Sequence, residues 1–452
     1  MKSLSKNINR LPLKSTDELK HIMETVMKLA KDKGATDSSV AINLDSGFSV
    51  DVRIGAVETV AFSEDKGIGV NVYIGNAKGS ASSSDTSHAA LDAMVQAAID
   101  IASVSASDSC FGLPEKELLS NVIPDLDLYF PWEISPEDAI KKVIELESRA
   151  MSLDKRITNS DGSQLSTYTF CIGHANTNGF MEFVQSSRHS ISCSLVAENE
   201  SGKQRDYDYT TARYFEKLLN IEDLAKSVVD RTVSRLGAKK IKTQKVPVVF
   251  SQRISSGLFS TFISAINGNN IYRKNSFLLD KIGEQLFPKN IQVYEQPHIL
   301  CGLGSSPFDG EGILTRNNVI VKDGVLNQYV LNTYSARKLN LTTTANSGGV
   351  YNLTIAPTTG DLNQLLKKMD KGLLVTELMG HGVNILTGDY SRGATGFWVE
   401  NGEIQFPVEE ITIASNLIDM FKNIVDVGND INPNISTKCG SLLISQMTIA
   451  GV

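Results

Sequence analysis

Cysteine is scarce in this 452-residue sequence: five residues, Cys110, Cys171, Cys193, Cys301 and Cys439, with no Cys-x-x-Cys pair. That odd number and scattered spacing exclude a disulfide framework, and a reducing cytoplasm in which thiols act as small hydrophobes is expected. No apolar run approaches the roughly 18 residues of a membrane span. Residues Met1 to Lys14 are basic but lack the apolar stretch of a secretory signal, so no secretory signal is expected, and without a spanning run no membrane partner is expected. Positive charge is also in deficit: 44 Lys and Arg face 51 Asp and Glu, a net charge of −7, with a pI near 5.5. Binding nucleic acid needs a basic face to neutralise phosphates, so no direct nucleic-acid partner is expected. The one basic cluster, Lys239, Lys240, Lys242 and Lys245, reads as a solvated helix end, where cations complement the helix dipole. Six histidines (His21, His88, His174, His189, His298 and His381) are too widely spaced to form the helical pair of a zinc peptidase. There is no phosphate-binding loop and no Gly-x-Ser-x-Gly elbow.

The composition, 41% apolar and 21% charged, is that of a globular protein, and its length suggests about two to three domains. Ser15 with Glu18 forms a capping-box signature ahead of a helical stripe of Leu19, Ile22, Met23, Val26 and Ala30, closed by Gly34. From Ser39 to Ser84 the period becomes two. Val40-Ile42-Leu44, Phe48-Val50-Val52, Val57-Val60-Phe62 and Gly69-Asn71-Tyr73 read as short antiparallel strands separated by Gly, Asp and Ser turns. A helix near Ser87–Ile101 follows, then a polar linker from Ser103 to Pro114. The plan recurs: a helix begins at Ser135-Pro136, strands run from Ile157 to Tyr214, and Asn220 caps another helix. A decayed duplication is one reading of that recurrence. From Lys245 the pattern changes to an apolar strand (Val246–Phe250), a helix (Ile254–Ile266) and a glycine-punctuated remainder with a helix at Leu362–Met369 closed by Gly372. The predicted fold class is α+β: a helix–antiparallel meander–helix N-terminal part followed by a larger strand-rich C-terminal domain. The expected domains are residues 1–110, 111–240 and 241–452.

Two segments carry candidate chemistry. In Leu378–Phe397, glycines surround His381, Asp389 and Arg392. Glycine admits close backbone approach, so a groove for an extended peptide is one reading and a hairpin with special dihedrals the other. Asp389 and Arg392 could pair with each other or bind chain ends. In Gly304–Gly312, Asp309 and Glu311 form a carboxylate pair suited to acid–base work, or a structural turn. Nucleophilic catalysis by Cys439 with His381 has no local support.

Taken in order, Ser306-Pro-Phe-Asp-Gly-Glu-Gly312, Asp323-Gly-Val-Leu-Asn-Gln-Tyr329, Asn332-Thr-Tyr-Ser-Ala-Arg337, Gly388-Asp-Tyr-Ser-Arg-Gly-Ala394, Phe397-Trp-Val-Glu-Asn-Gly402, Val427-Gly-Asn-Asp430 and Cys439-Gly440 resemble the PmbA/TldD family, as does Arg156-Ile-Thr-Asn-Ser-Asp-Gly162. The catalytic TldD type carries a His-Glu-x-x-x-His helix and a C-terminal cysteine that together hold zinc. Counting back from Arg273-Lys274, the motif falls on Ser260-Thr-Phe-Ile-Ser-Ala265, so Ser260, Thr261 and Ala265 replace its key residues and Cys439 is the lone candidate ligand. No histidine lies between His189 and His298. The resemblance therefore implies the PmbA, or TldE, type: no catalytic residue and no metal on this chain, with zinc on a TldD-like paralogue. That partner would form a heterodimer with it that degrades unfolded peptides and trims leader peptides of ribosomal precursors. Asp309, Glu311, His381, Asp389 and Arg392 become peptide-groove or interface candidates. The alternative is a homodimeric regulator of the gyrase-modulator kind with no peptidase role.

Overall fold

The computed structural model describes residues 16–119 and 122–452, so the capping box at Ser15 lies outside the described residues. The chain opens with α1 (Thr16–Asp32), β1 (Asp37–Arg53), β2 (Ala56–Ile74), β3 (Ala77–Ser83) and α2 (His88–Val104). It continues with α3 (Pro136–Leu153), β4 (Ile157–Asn176), β5 (Met181–Asn199), β6 (Gly202–Ala212) and α4 (Ile221–Ser234). These strands make one antiparallel sheet in the order β3-β2-β1-β4-β5-β6. The helix starts follow from their caps: the side chains of Ser87, Ser135 and Asn220 accept from the N–H of the third residue of α2, α3 and α4.

The short strands expected between residues 39 and 84 are instead two long ones. β1 runs through Gly47 because β2 and β4 border it on both edges and pair its backbone along nearly its whole length. Gly47 is there for close approach, since a Cβ would run into the Thr167 carbonyl oxygen. All four helices lie on one face. Val40, Ile42 and Leu44 of β1 pack under α1 and α2, while Phe48, Val50 and Val52 pack under α3 and α4. Likewise the Asn159–Gly162 break lies inside β4, where the register shifts, whereas Asn176–Gly179 and Asn199–Gly202 are turns as read.

The C-terminal part comprises β7 (Gln244–Phe250), α5 (Gln252–Ala265), α6 (Gly268–Tyr272), β8 (Val293–Glu295), β9 (Asn318–Lys322), β10 (Val325–Leu326), α7 (Thr333–Lys338) and β11 (Leu353–Ile355). It ends with α8 (Leu362–Met369), β12 (Gly372–Met379), β13 (Asp389–Glu400), β14 (Glu403–Asn416), α9 (Leu417–Lys422), β15 (Ile424–Val427) and β16 (Leu442–Ala450). Its main sheet has the order β14-β13-β12-β7-β16-β15 and curls until β14 also pairs with β16. A small sheet, β10-β9-β8-β11, stands apart from it. The core between them is aromatic, with Phe262 edge-on to Phe287 (5.2 Å) and Phe421 (5.6 Å). Helix α8 closes at Asp370, whose φ of 58° a short polar side chain tolerates; Gly372 already belongs to β12.

The stretch read as a linker is docked rather than free. Phe111 stacks on Tyr334 at 4.8 Å, the Tyr334 hydroxyl donates to Asp108 (2.9 Å), and Arg337 donates to the Leu113 carbonyl (2.8 Å). Arg213, at the end of the N-terminal sheet, is buried and donates to the carbonyls of Ser187, Gly302 and Leu303. The basic run also differs from a helix end. It is extended backbone in which Lys239 N–H donates to Pro407 O (2.9 Å) and Lys240 pairs with Glu410 (2.5 Å).

Candidate functional site

Helix α5 follows β7 directly, and its first turn lies over the segment that carries Cys439. Gln252 N–H donates to Ser441 Oγ (3.0 Å), and Ser255 Oγ donates to the Cys439 carbonyl (3.4 Å). Ser255 is therefore the helix residue that meets Cys439. Ser260 and Thr261 lie further along and return their hydroxyls to the carbonyls of Ser256 (3.0 Å) and Gly257 (3.1 Å). Ala265 is buried in the aromatic core.

The donors near Cys439 do not fit a zinc ion. Burial pushes its thiol up to about 12, and the Sγ–H donates to the Gly440 carbonyl (3.3 Å). The nearby Asp430 carboxylate already accepts from Ser441 N–H (2.8 Å) and Oγ–H (2.6 Å). A structural zinc site takes about four thiolate, imidazole or carboxylate ligands, and this helix face presents hydroxyls and hydrocarbon.

Asp309 and Glu311 point inward. Asp309 is 1% exposed; its Oδ1 accepts from the N–H groups of Glu311 (2.9 Å) and Ile313 (3.0 Å), and its Oδ2 from Ser347 N–H (3.0 Å). Desolvation, and then the neighbouring Glu311 charge, raise its carboxyl to about 7 in spite of these donors. Glu311 Oε2 accepts from the N–H (3.0 Å) and hydroxyl (2.6 Å) of Thr333, at the first position of α7, where an anion suits the helix dipole. The pair thus ties the loop to α7 and to the Ser347 segment. Beside it lies His174 of β4, lowered to about 4 by burial. Its Nε2 is buried without a hydrogen-bond partner.

The second glycine-rich segment is largely a hairpin. Gly382 sits where a Cβ would strike the Ser391 carbonyl oxygen of the opposing strand, so its close approach is internal to the chain. His381 is exposed. Asp389 and Arg392 do not pair, because three residues apart on β13 they face opposite sides of the sheet. Asp389 instead accepts from Thr387 Oγ1 (2.6 Å). Arg392 lies close to buried Tyr390, whose hydroxyl burial pushes up to about 12 against the pull of that guanidinium. Arg392 Nε is buried without a partner.

One cluster had no sequence signal, because its members come from separate segments. Asp206 of β6 is approached by Arg253 (3.4 Å), Arg235 (3.4 Å) and Arg231 (3.8 Å), and Arg235 continues to Glu377 (2.7 Å). Arg253 lies 4.0 Å above the Tyr207 ring. These contacts clamp α4 and β6 to the start of α5.

A mixed α+β chain of this architecture is found among known proteins. Three family models match it in succession: PmbA/TldA metallopeptidase domain 1 at residues 40–102, the central domain at 129–236 and the C-terminal domain at 243–451. The chain belongs to the PmbA/TldD family. It is 46% identical to the protein named Metalloprotease PmbA of Escherichia coli O157:H7, over 96% of both chains. It is also 22% identical to a Metalloprotease TldD homolog of Buchnera aphidicola, over 62% of this chain and 63% of that one. Among solved structures, a putative modulator of DNA gyrase from Bacteroides thetaiotaomicron superposes with a TM-score of 0.91 at 29% identity, covering 96% and 99%. TldE from Thermococcus kodakarensis superposes at 0.82 with 20% identity, covering 95% and 100%; that likeness concerns the fold.

Proposed function

We propose that this chain is the metal-motif-lacking subunit of a cytoplasmic zinc metallopeptidase complex acting on unfolded and leader peptides, with a TldD-like paralogue as its catalytic partner. The observation that carries this is the helix beside Cys439. Where a metallopeptidase needs imidazole and carboxylate, α5 meets Cys439 with the Ser255 hydroxyl and carries Ser256, Ser260 and Thr261 further along, and the Cys439 thiol is held protonated by burial. Membership of a family whose members are named metalloproteases supports the complex; the missing donors support a division of labour within it.

In this reading the partner supplies the zinc-bound water and its base. This chain supplies an interface and part of an enclosing cavity, and a peptide held by backbone hydrogen bonds is read with broad specificity. The Gly304–Gly312 and Gly380–Gly396 loops are the proposed walls of the peptide's route. The test is metal content and peptidase activity of the purified chain, alone and mixed with its TldD-like paralogue. Zinc binding and cleavage of unfolded peptide only in the mixture support the reading. Stoichiometric metal and cleavage by the chain alone overturn it. A chain that ignores the paralogue and self-associates supports the homodimeric regulator instead.

A further inference from the structure

The free edge of β2 is the strongest unassigned surface. β2 pairs with β1 along its whole length but with β3 only from Ile68 onward. Residues 56–67 therefore have no strand on their outer edge among the described residues. Long open edges are ordinarily blunted by proline, lysine or a bulge. Here a bulge falls at Glu58 and Lys66 stands at the covered end, turned to Thr86 (3.1 Å), but no proline or lysine occurs between Ala56 and Asp65. Instead Val57, Val60 and Phe62 are 46%, 37% and 55% exposed. In register they lie opposite Val52, Val50 and Phe48, all fully buried under α3 and α4. The apolar core of that half thus continues to the sheet edge and stops there uncovered. Ile54, in the turn before β2, is 54% exposed and holds a φ of 49°, a conformation a β-branched residue adopts only at a cost.

The charges on this edge indicate what covers it. Glu58 and Glu64 bracket Val60 and Phe62, Asp65 follows, and Glu58 also lines a cleft of about 350 Å³ with Asp51, Asp161 and Arg205. A second copy fits poorly. The antiparallel register that sets Val60 opposite Phe62 brings Glu64 of each copy against the Glu58 bulge of the other, and like charges facing one another across strands are destabilising.

We infer that the β2 edge, residues 56–65, docks an extended strand of a different protein chain, with an apolar centre flanked by lysine or arginine. This deepens the proposed function by giving the heteromeric reading a surface: main-chain hydrogen bonds supply affinity, the apolar strip fixes register, and the acidic ends select the partner.

The experiment titrates the full chain with two synthetic strand peptides, identical in their Val/Phe centre and bearing Lys or Glu at both ends. The Lys-ended peptide should bind about tenfold tighter, and the double variant Glu58→Lys, Glu64→Lys should invert that preference. Both substitutions are at exposed positions, and unchanged thermal melting confirms folding. Equal affinity for the two peptides, or no binding of either, overturns the inference. So does a concentration-dependent dimer of the chain abolished by Phe62→Lys, which would assign the edge to a second copy. In parallel, the TldD-like paralogue is mixed with wild-type and charge-reversed chains. Equal assembly by both removes this surface and leaves the proposed function standing. Failure of even wild type to assemble removes the proposed function, while the peptides still decide the surface.

Discussion

Both carboxylate oxygens of Glu147, buried in α3, hold the turn at Ile54: Oε1 accepts from Ile54 N–H (3.0 Å) and Oε2 from Gly55 N–H (2.8 Å). A helix side chain thereby fixes a left-handed β-branched residue at the tip of the β1–β2 hairpin. Charge-assisted bonds of this kind contribute roughly 1.5–3 kcal/mol each way a partner is lost. Glu147→Ala should lower unfolding stability by about that amount in a urea titration. Ile54→Asn, which suits the left-handed conformation better, should leave stability unchanged or raise it by up to about 1 kcal/mol. A larger loss for Ile54→Asn would show that Ile54 packs inward in solution.

Asp309 predicts a pH dependence. Its folded-state carboxyl is raised to about 7 from an ordinary value of 3.8. A raised carboxyl contributes stability below its unfolded value, and that contribution is lost as pH rises through the folded one. Wild-type stability relative to Asp309→Asn should therefore decline between about pH 4 and 7, read as the difference in urea midpoints. A difference that grows with pH would mean that the three backbone donors outweigh burial.

Arg213 joins the two parts of the molecule through two carbonyls, those of Gly302 and Leu303, and burial holds its guanidinium down at about 10. Lysine keeps the charge but cannot reproduce a planar fork. Arg213→Lys should cost about 2 kcal/mol and raise protease sensitivity near Gly302. Equal proteolysis of both proteins would show that the junction is held elsewhere.

Thiol labelling should separate the cysteines. Cys439, Cys171 and Cys193 are buried, with thiols raised by desolvation to about 12, 11 and 11, whereas Cys110 and Cys301 are part-exposed. Native protein treated with iodoacetamide should be modified at Cys110 and Cys301 and should react at Cys439 only after unfolding, as mass spectrometry will show. Rapid native labelling of Cys439 would imply an opened or metal-ready site.

Much of the fold was legible where the signal is local. Ser87, Ser135 and Asn220 announce their helices because capping involves residues three apart, and the turns at Asn176–Gly179 and Asn199–Gly202 are likewise short-range. Long-range pairing was not legible. Gly47 and its polar neighbours look like a turn until β4 is beside them, and only tertiary context turns that glycine into a close approach. The candidate site divides in the same way. The missing histidine pair could be read from sequence, but the meeting of Ser255 with Cys439, the burial of Asp309 beside His174 and the three arginines around Asp206 depend on distant segments. Asp389 and Arg392 were readable as neighbours, and strand alternation then set them on opposite faces.

One strand bears on how the N-terminal half comes apart. Leu44 of β1 belongs to the core under α1 and α2, and Phe48, two positions further along the same face past Ser46, to the core under α3 and α4. Neither helical layer can peel away without stripping the backbone that floors the other. The central amides of β1 should accordingly exchange with solvent only through concerted opening of the whole sheet, so damage under one helix pair should appear as lost protection beneath the other.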